Sequence, residues 1–115
     1  MQSSDISALE AKWQSEALLD AAFSIFSYYY REITEVTAYV IVTLQKLFPE
    51  ISVNTLIDAG HRARNLYFSV INYTDYHVFY SIAPPVEELI ENDHPGFSQK
   101  SYSAVLIRAQ YMATK

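Results

Sequence analysis

SALEAKWQSEALLDAAFSIFSYYYREITEVTAYVIVTLQKLF, residues Ser7 to Phe48, runs without a single Gly or Pro, and its reading decides the fold. Leu19, Ala22, Phe26, Tyr29 and Ile33 step by three and four, and Ile33, Val36, Val40, Leu44 and Leu47 continue the step. That spacing places them along one face of a helix. Ser7-Ala8-Leu9-Glu10 reads as a capping box at its start, with Ser7 accepting from the backbone and Glu10 reaching back. Pro49 disfavours helical geometry at Phe48 and ends the run.

The length of this run carries a consequence. An unbroken helix over it would extend roughly 60 Å at 1.5 Å per residue, whereas a domain of this size is roughly 35 Å across. Either the helix breaks near Tyr28 to Glu32, or it overhangs and a second copy covers the excess. With no Gly or Pro to mark a break, the sequence favours a long N-terminal helix, Ser7 to Phe48, kinked near Tyr30 at most, in a homodimer.

Outward from that stretch, Ser52-Val53-Asn54-Thr55 offers N-caps for a following helix. The segment Asn65 to Ile82 is ambiguous. The spacing from Ala63 into it, Tyr67, Val70, Ile71 and then Thr74, Val78 and Ile82, reads as helix, while its Tyr, Phe, Val and Thr content suits strands. The scarcity of Gly, two in 115 residues, favours helix. The alternative is an α+β fold with a hairpin at Leu66 to Ile82. Pro84-Pro85 stops whatever precedes it, and a short helix with Val86, Leu89 and Ile90 on its apolar side follows. Asn92-Asp93-His94-Pro95-Gly96 is the clearest turn. A C-terminal helix from Gln99 to Ala113 should bury Tyr102, Val105, Leu106, Ala109 and Met112. The expected fold class is therefore mainly α, a helical bundle, in a single domain spanning residues 1–115.

Composition limits the function classes. Half the residues are hydrophobic and 18% are charged, so the chain can build a core and is not of the disordered type. It has no Cys, which excludes disulfides, thiolate nucleophiles and Cys-ligated metals. The net charge of −5 disfavours nucleic-acid binding, which needs clustered Lys and Arg. Met1 to Asp5 lacks a signal-peptide pattern. The most apolar run, Ala38 to Leu44, is far short of the ~20 residues that span a bilayer. A soluble, cytoplasmic protein without membrane contact is the expectation.

The motifs that carry chemistry are missing. No phosphate loop, Gly-x-Ser-x-Gly elbow or paired-histidine metal motif occurs, and His61, His77 and His94 are too far apart to form one. No cofactor, metal or catalytic residue is expected. Two candidate sites remain. Tyr28-Tyr29-Tyr30-Arg31 is the first: three consecutive helical side chains point about 100° apart, so one core cannot cover all three rings. Tyr and Arg are also the residue types of binding hot spots. His61, Arg62 and Arg64, the one local concentration of positive charge, form a secondary candidate for gripping an anion. The sequence thus points to a non-enzymatic protein–protein interaction module, rich in tyrosine with ten of them. It would be an adaptor, inhibitor or assembly subunit of the kind viruses and mobile elements encode. The alternative is a small-ligand-binding or enzymatic helical bundle using His61, Arg62, Arg64 and Tyr residues around a cavity.

Overall fold

The computed structural model describes residues 3–30, 35–69 and 86–113. Six helices lie among them: α1 (Ser3–Gln14), α2 (Leu18–Tyr29), α3 (Val36–Leu47), α4 (Val53–Phe68), α5 (Val86–Asp93) and α6 (Gln99–Ala113). The mainly α reading holds. Packing divides the chain into two compact units, Met1–Arg64 and Asn65–Lys115.

The long N-terminal rod does not form. Residues Ser7 to Phe48 fold as three helices, α1, α2 and α3, each packed on the other two. The first break comes at Ser15–Ala17. The Ser15 amide is shared between the carbonyls of Ala11 at 3.3 Å and Lys12 at 3.1 Å, and the Glu16 amide donates to Trp13 O at 3.1 Å. These bonds tighten the last turn, as helix ends commonly do. The Ser15 hydroxyl also donates to Lys12 O at 2.6 Å, taking up a carbonyl at the helix end. Ala17 is then extended, with ψ 151°, and accepts the first α2 bond from the Ala21 amide. The second break follows Tyr29, near the Tyr30 position where a kink was expected. Neither break needs Gly or Pro, because folding back buries three apolar faces that a straight rod would leave wet. Phe26, Ile25, Val40 and Leu44 become fully buried, each worth about 1.5–3 kcal/mol for a large side chain. That gain outweighs the few backbone bonds lost at each break, about 1 kcal/mol apiece.

The expected capping box is also displaced. α1 starts at Ser3, so Ser7 lies inside it, and Glu10 serves another purpose. Glu10 pairs with Lys46 Nζ at 2.9 Å, joining α1 to α3. Beside it, Gln14 Nε2 donates to Leu47 O at 2.9 Å and satisfies a carbonyl at the α3 C-terminus. Phe48, ahead of Pro49, leaves the helical region with φ −127° and ψ 63°, as the sequence requires.

Ser52 caps α4. Its Oγ accepts from the Thr55 amide at 3.3 Å and contacts Thr55 Oγ1 at 2.8 Å. Leu56, Ala59, Gly60 and Ala63 form the buried stripe of this helix. Gly60 has a packing reason: a Cβ built on it would lie 3.0 Å from Ile41 Cγ1 of α3. The hairpin alternative fails at its start, since Leu66, Tyr67 and Phe68 are helical. The remainder of that segment, 70–82, lies outside the described residues.

In the second unit α5 packs on α6. The turn between them is the one read from Asn92 to Gly96, with Gly96 at φ 100° where a side chain would be strained. Tyr102 Oη locks it, donating to His94 O at 2.6 Å and accepting from the Phe97 amide at 3.2 Å. Tyr102, Val105 and Ala109 are buried as expected, and Leu106 is half-buried. The Met112 side chain lies outside the described residues.

Candidate functional site

The tyrosine run ends α2, and the folding back of α1 and α3 surrounds it with further rings. Trp13, the only Trp in the chain and 2% exposed, meets Tyr28 edge-on at 5.6 Å and Tyr29 at 6.1 Å between ring centroids. Tyr28 and Tyr29 are perpendicular at 4.8 Å, and Tyr29 meets Tyr39 of α3 at 4.5 Å. Edge-to-face contacts at these separations place the positive ring edge against the negative ring face. Tyr30 turns the other way and stacks on Phe26 at 5.9 Å.

The geometric expectation for three consecutive tyrosines is met. Tyr28 and Tyr29 are half-buried, while Tyr30 keeps 38% of its surface in water. Tyr39 is 39% exposed, and Val42, one turn further along α3, is 61% exposed. Arg31 lies outside the described residues.

The environment of Tyr29 favours its neutral form. Burial first, then a hydrogen bond to Tyr39, then the negative charge of ionised Tyr39, of ionised Tyr28 and of Glu10, push its pKa up from 10.0 to about 12. A proton-abstracting base needs the opposite displacement, toward neutrality.

The second candidate lies on α4. Arg62 sits 3.8 Å from Asp58 Oδ2, one turn back on the same helix. Positions 62 and 64 are about 200° apart around the helix axis, so the two guanidiniums cannot close on one anion from α4. His61 and Arg64, three positions apart on the helix, are both exposed. The positive segment is thus spread around a helix.

Among the described residues no group of three or more His, Asp or Glu could hold a metal ion. No helix there is long and apolar enough to cross a membrane.

Trp13 and Tyr39 belong to the ring cluster, and the sequence did not flag either. Trp13 stands 15 positions before Tyr28, across the unsignalled break at Ser15–Ala17. Tyr39 is ten positions after Tyr29, across the second break. No local spacing joins them, although the single Trp is a signal that could have drawn attention to position 13. No family model, curated protein or solved structure matches the chain.

Proposed function

We propose that the protein is a non-enzymatic interaction module that binds a protein partner through the α2–α3 aromatic surface. The observation that carries this reading is the exposure of Tyr30 and Tyr39 beside rings already fixed by Trp13, Tyr28 and Phe26. A ring held by neighbours loses little side-chain freedom on binding, and Tyr is enriched at hot spots for that reason among others. An adaptor, inhibitor or assembly subunit, as viruses and mobile elements encode, would work in this way. Self-association through an overhanging rod has lost its argument, because the rod is three helices that bury one another's faces. A second copy remains one of the partners to be tested. The ligand-binding alternative draws no support from Arg62, which pairs with Asp58, or from its divergence from Arg64.

The test compares the full chain with a Tyr30→Ser/Tyr39→Ser double variant of unchanged circular dichroism. Light scattering reports self-association, and binding of purified partners recovered with the wild-type chain reports heterologous association. Loss of either complex in the double variant supports the reading. Equal sizes and equal partner affinities for the two chains would refute it.

A further inference from the structure

We propose that Tyr29 and Tyr39 form a site of oxidative modification, at which a haem peroxidase with hydrogen peroxide joins the two rings in an intramolecular dityrosine crosslink. This inference is independent of the partner-binding proposal and stands on the placement of the two rings. Their centroids are 4.5 Å apart with planes inclined at 61°. The carbon atoms that couple in a dityrosine lie on the ring edge, next to the carbon bearing oxygen, and ring centroids 4.5 Å apart bring the edges of the two rings close to one another. Tyr28 is also close to Tyr29, at 4.8 Å; both contacts are edge-to-face in kind, but the Tyr28–Tyr29 planes stand at 88° against 61° for Tyr29–Tyr39, the poorer approach for joining two ring edges. Tyr39 is 39% exposed and gives a diffusing oxidant access to the pair.

The chemistry balances without any group held by the protein. Each phenol gives up one electron and its phenolic proton, and the two radicals combine to form one carbon–carbon bond. Each coupled carbon then loses its hydrogen and a hydroxyl proton is regained, restoring both rings. Two hydrogen atoms leave the chain in total, and one hydrogen peroxide becomes two waters. The product would tie α2 to α3 across the connection that separates them. Glu10 and Lys46, paired beside these helices, already hold the same three-helix unit together non-covalently.

The experiment treats the full chain with horseradish-type haem peroxidase and limiting hydrogen peroxide at low protein concentration. Expected is dityrosine fluorescence on a species that still runs as one chain on a denaturing gel, lighter by two hydrogen atoms. Tryptic digestion should give a peptide joining Trp13–Arg31 to Glu32–Lys46, with the bond mapped to Tyr29 and Tyr39. Tyr39→Phe keeps the ring and removes the phenol, and it should abolish this product while Tyr30→Phe leaves it intact. The chain unfolded in urea should lose the preference for this pair. The proposal is overturned if the bond maps to Tyr28–Tyr29, if crosslinks between chains predominate at low concentration, or if Tyr39→Phe forms the same product. Absence of dityrosine under conditions that couple free tyrosine overturns it too.

Discussion

Replacing Gly60 by Ala sets two known quantities against each other, and the packing of α3 on α4 predicts which prevails. In a helix interior the substitution gains roughly 1 kcal/mol, because Ala loses less backbone freedom than Gly. Against that, the new Cβ would stand 3.0 Å from Ile41 Cγ1 and 3.5 Å from its Cδ1, where carbon atoms prefer 3.5–4.0 Å. Ile41 is only half-buried and can turn outward. Forcing it off its rotamer costs of order 0.5–1.5 kcal/mol. The two effects nearly cancel, so Gly60→Ala should change unfolding free energy by less than about 1 kcal/mol. In an Ile41→Ala background the obstacle is gone, and Gly60→Ala should then stabilise by the full ~1 kcal/mol. Gly60→Leu, which cannot be accommodated by a small adjustment, should destabilise the wild-type background by about 1–3 kcal/mol. Urea unfolding of the four chains in the Gly60→Ala and Ile41→Ala cycle gives the coupling energy directly. An identical effect of Gly60→Ala in both backgrounds would show that α4 does not approach α3 at this position, and would refute the packing of the first unit.

The Tyr29 pKa, raised to about 12 by burial and by Tyr39, makes the folded state prefer the neutral phenol. Its contribution to stability is complete below pH 10 and is lost as pH rises toward 12, because the unfolded chain releases that proton first. Absorbance titration of tyrosinate should show the Tyr29 phenol titrating late, and Tyr39→Phe should bring it part of the way back, since burial remains. Tyr102→Phe should lose about 1–3 kcal/mol in thermal or urea unfolding, since it removes a bond to His94 O and strands the buried Phe97 amide. His94 has its pKa lowered by burial, partly opposed by Asp93, so the fold prefers the neutral imidazole. Stability should therefore fall as pH drops through and below the ordinary histidine range, and His94→Gln should flatten that dependence in unfolding measured from neutral to mildly acidic pH.

How much of this was legible beforehand differs from element to element. The C-terminal helix was read at its observed bounds, because Gly96 and a polar turn mark its beginning and Tyr102, Val105 and Ala109 repeat at helical spacing. Phe48 was read correctly as an end because Pro49 acts on it through a local clash. The break at Ser15–Ala17 was not legible, since Ala17 takes an extended conformation with no residue there that requires it. The capping box misled for a related reason: Ser7 and Glu10 have the right spacing, but helix α1 had already begun and Glu10 found Lys46 instead. At the candidate site, Tyr28, Tyr29 and Tyr30 were visible as a run, and the argument that one ring must face water needed only helix geometry. Their neighbours Trp13 and Tyr39 were invisible, because each is reached across a chain reversal.

By itself the sequence determined that the chain is mainly helical and which faces of its clearest helices are apolar, since spacing and propensity act over a few residues. It also determined that three adjacent tyrosines must diverge. Only the tertiary structure decided where the long run of helix formers breaks, that Trp13 and Tyr39 meet Tyr29, and that Glu10 pairs with Lys46. Those outcomes depend on contacts between residues far apart along the chain, where burying three apolar faces together outweighs the small local preference for continuing a helix.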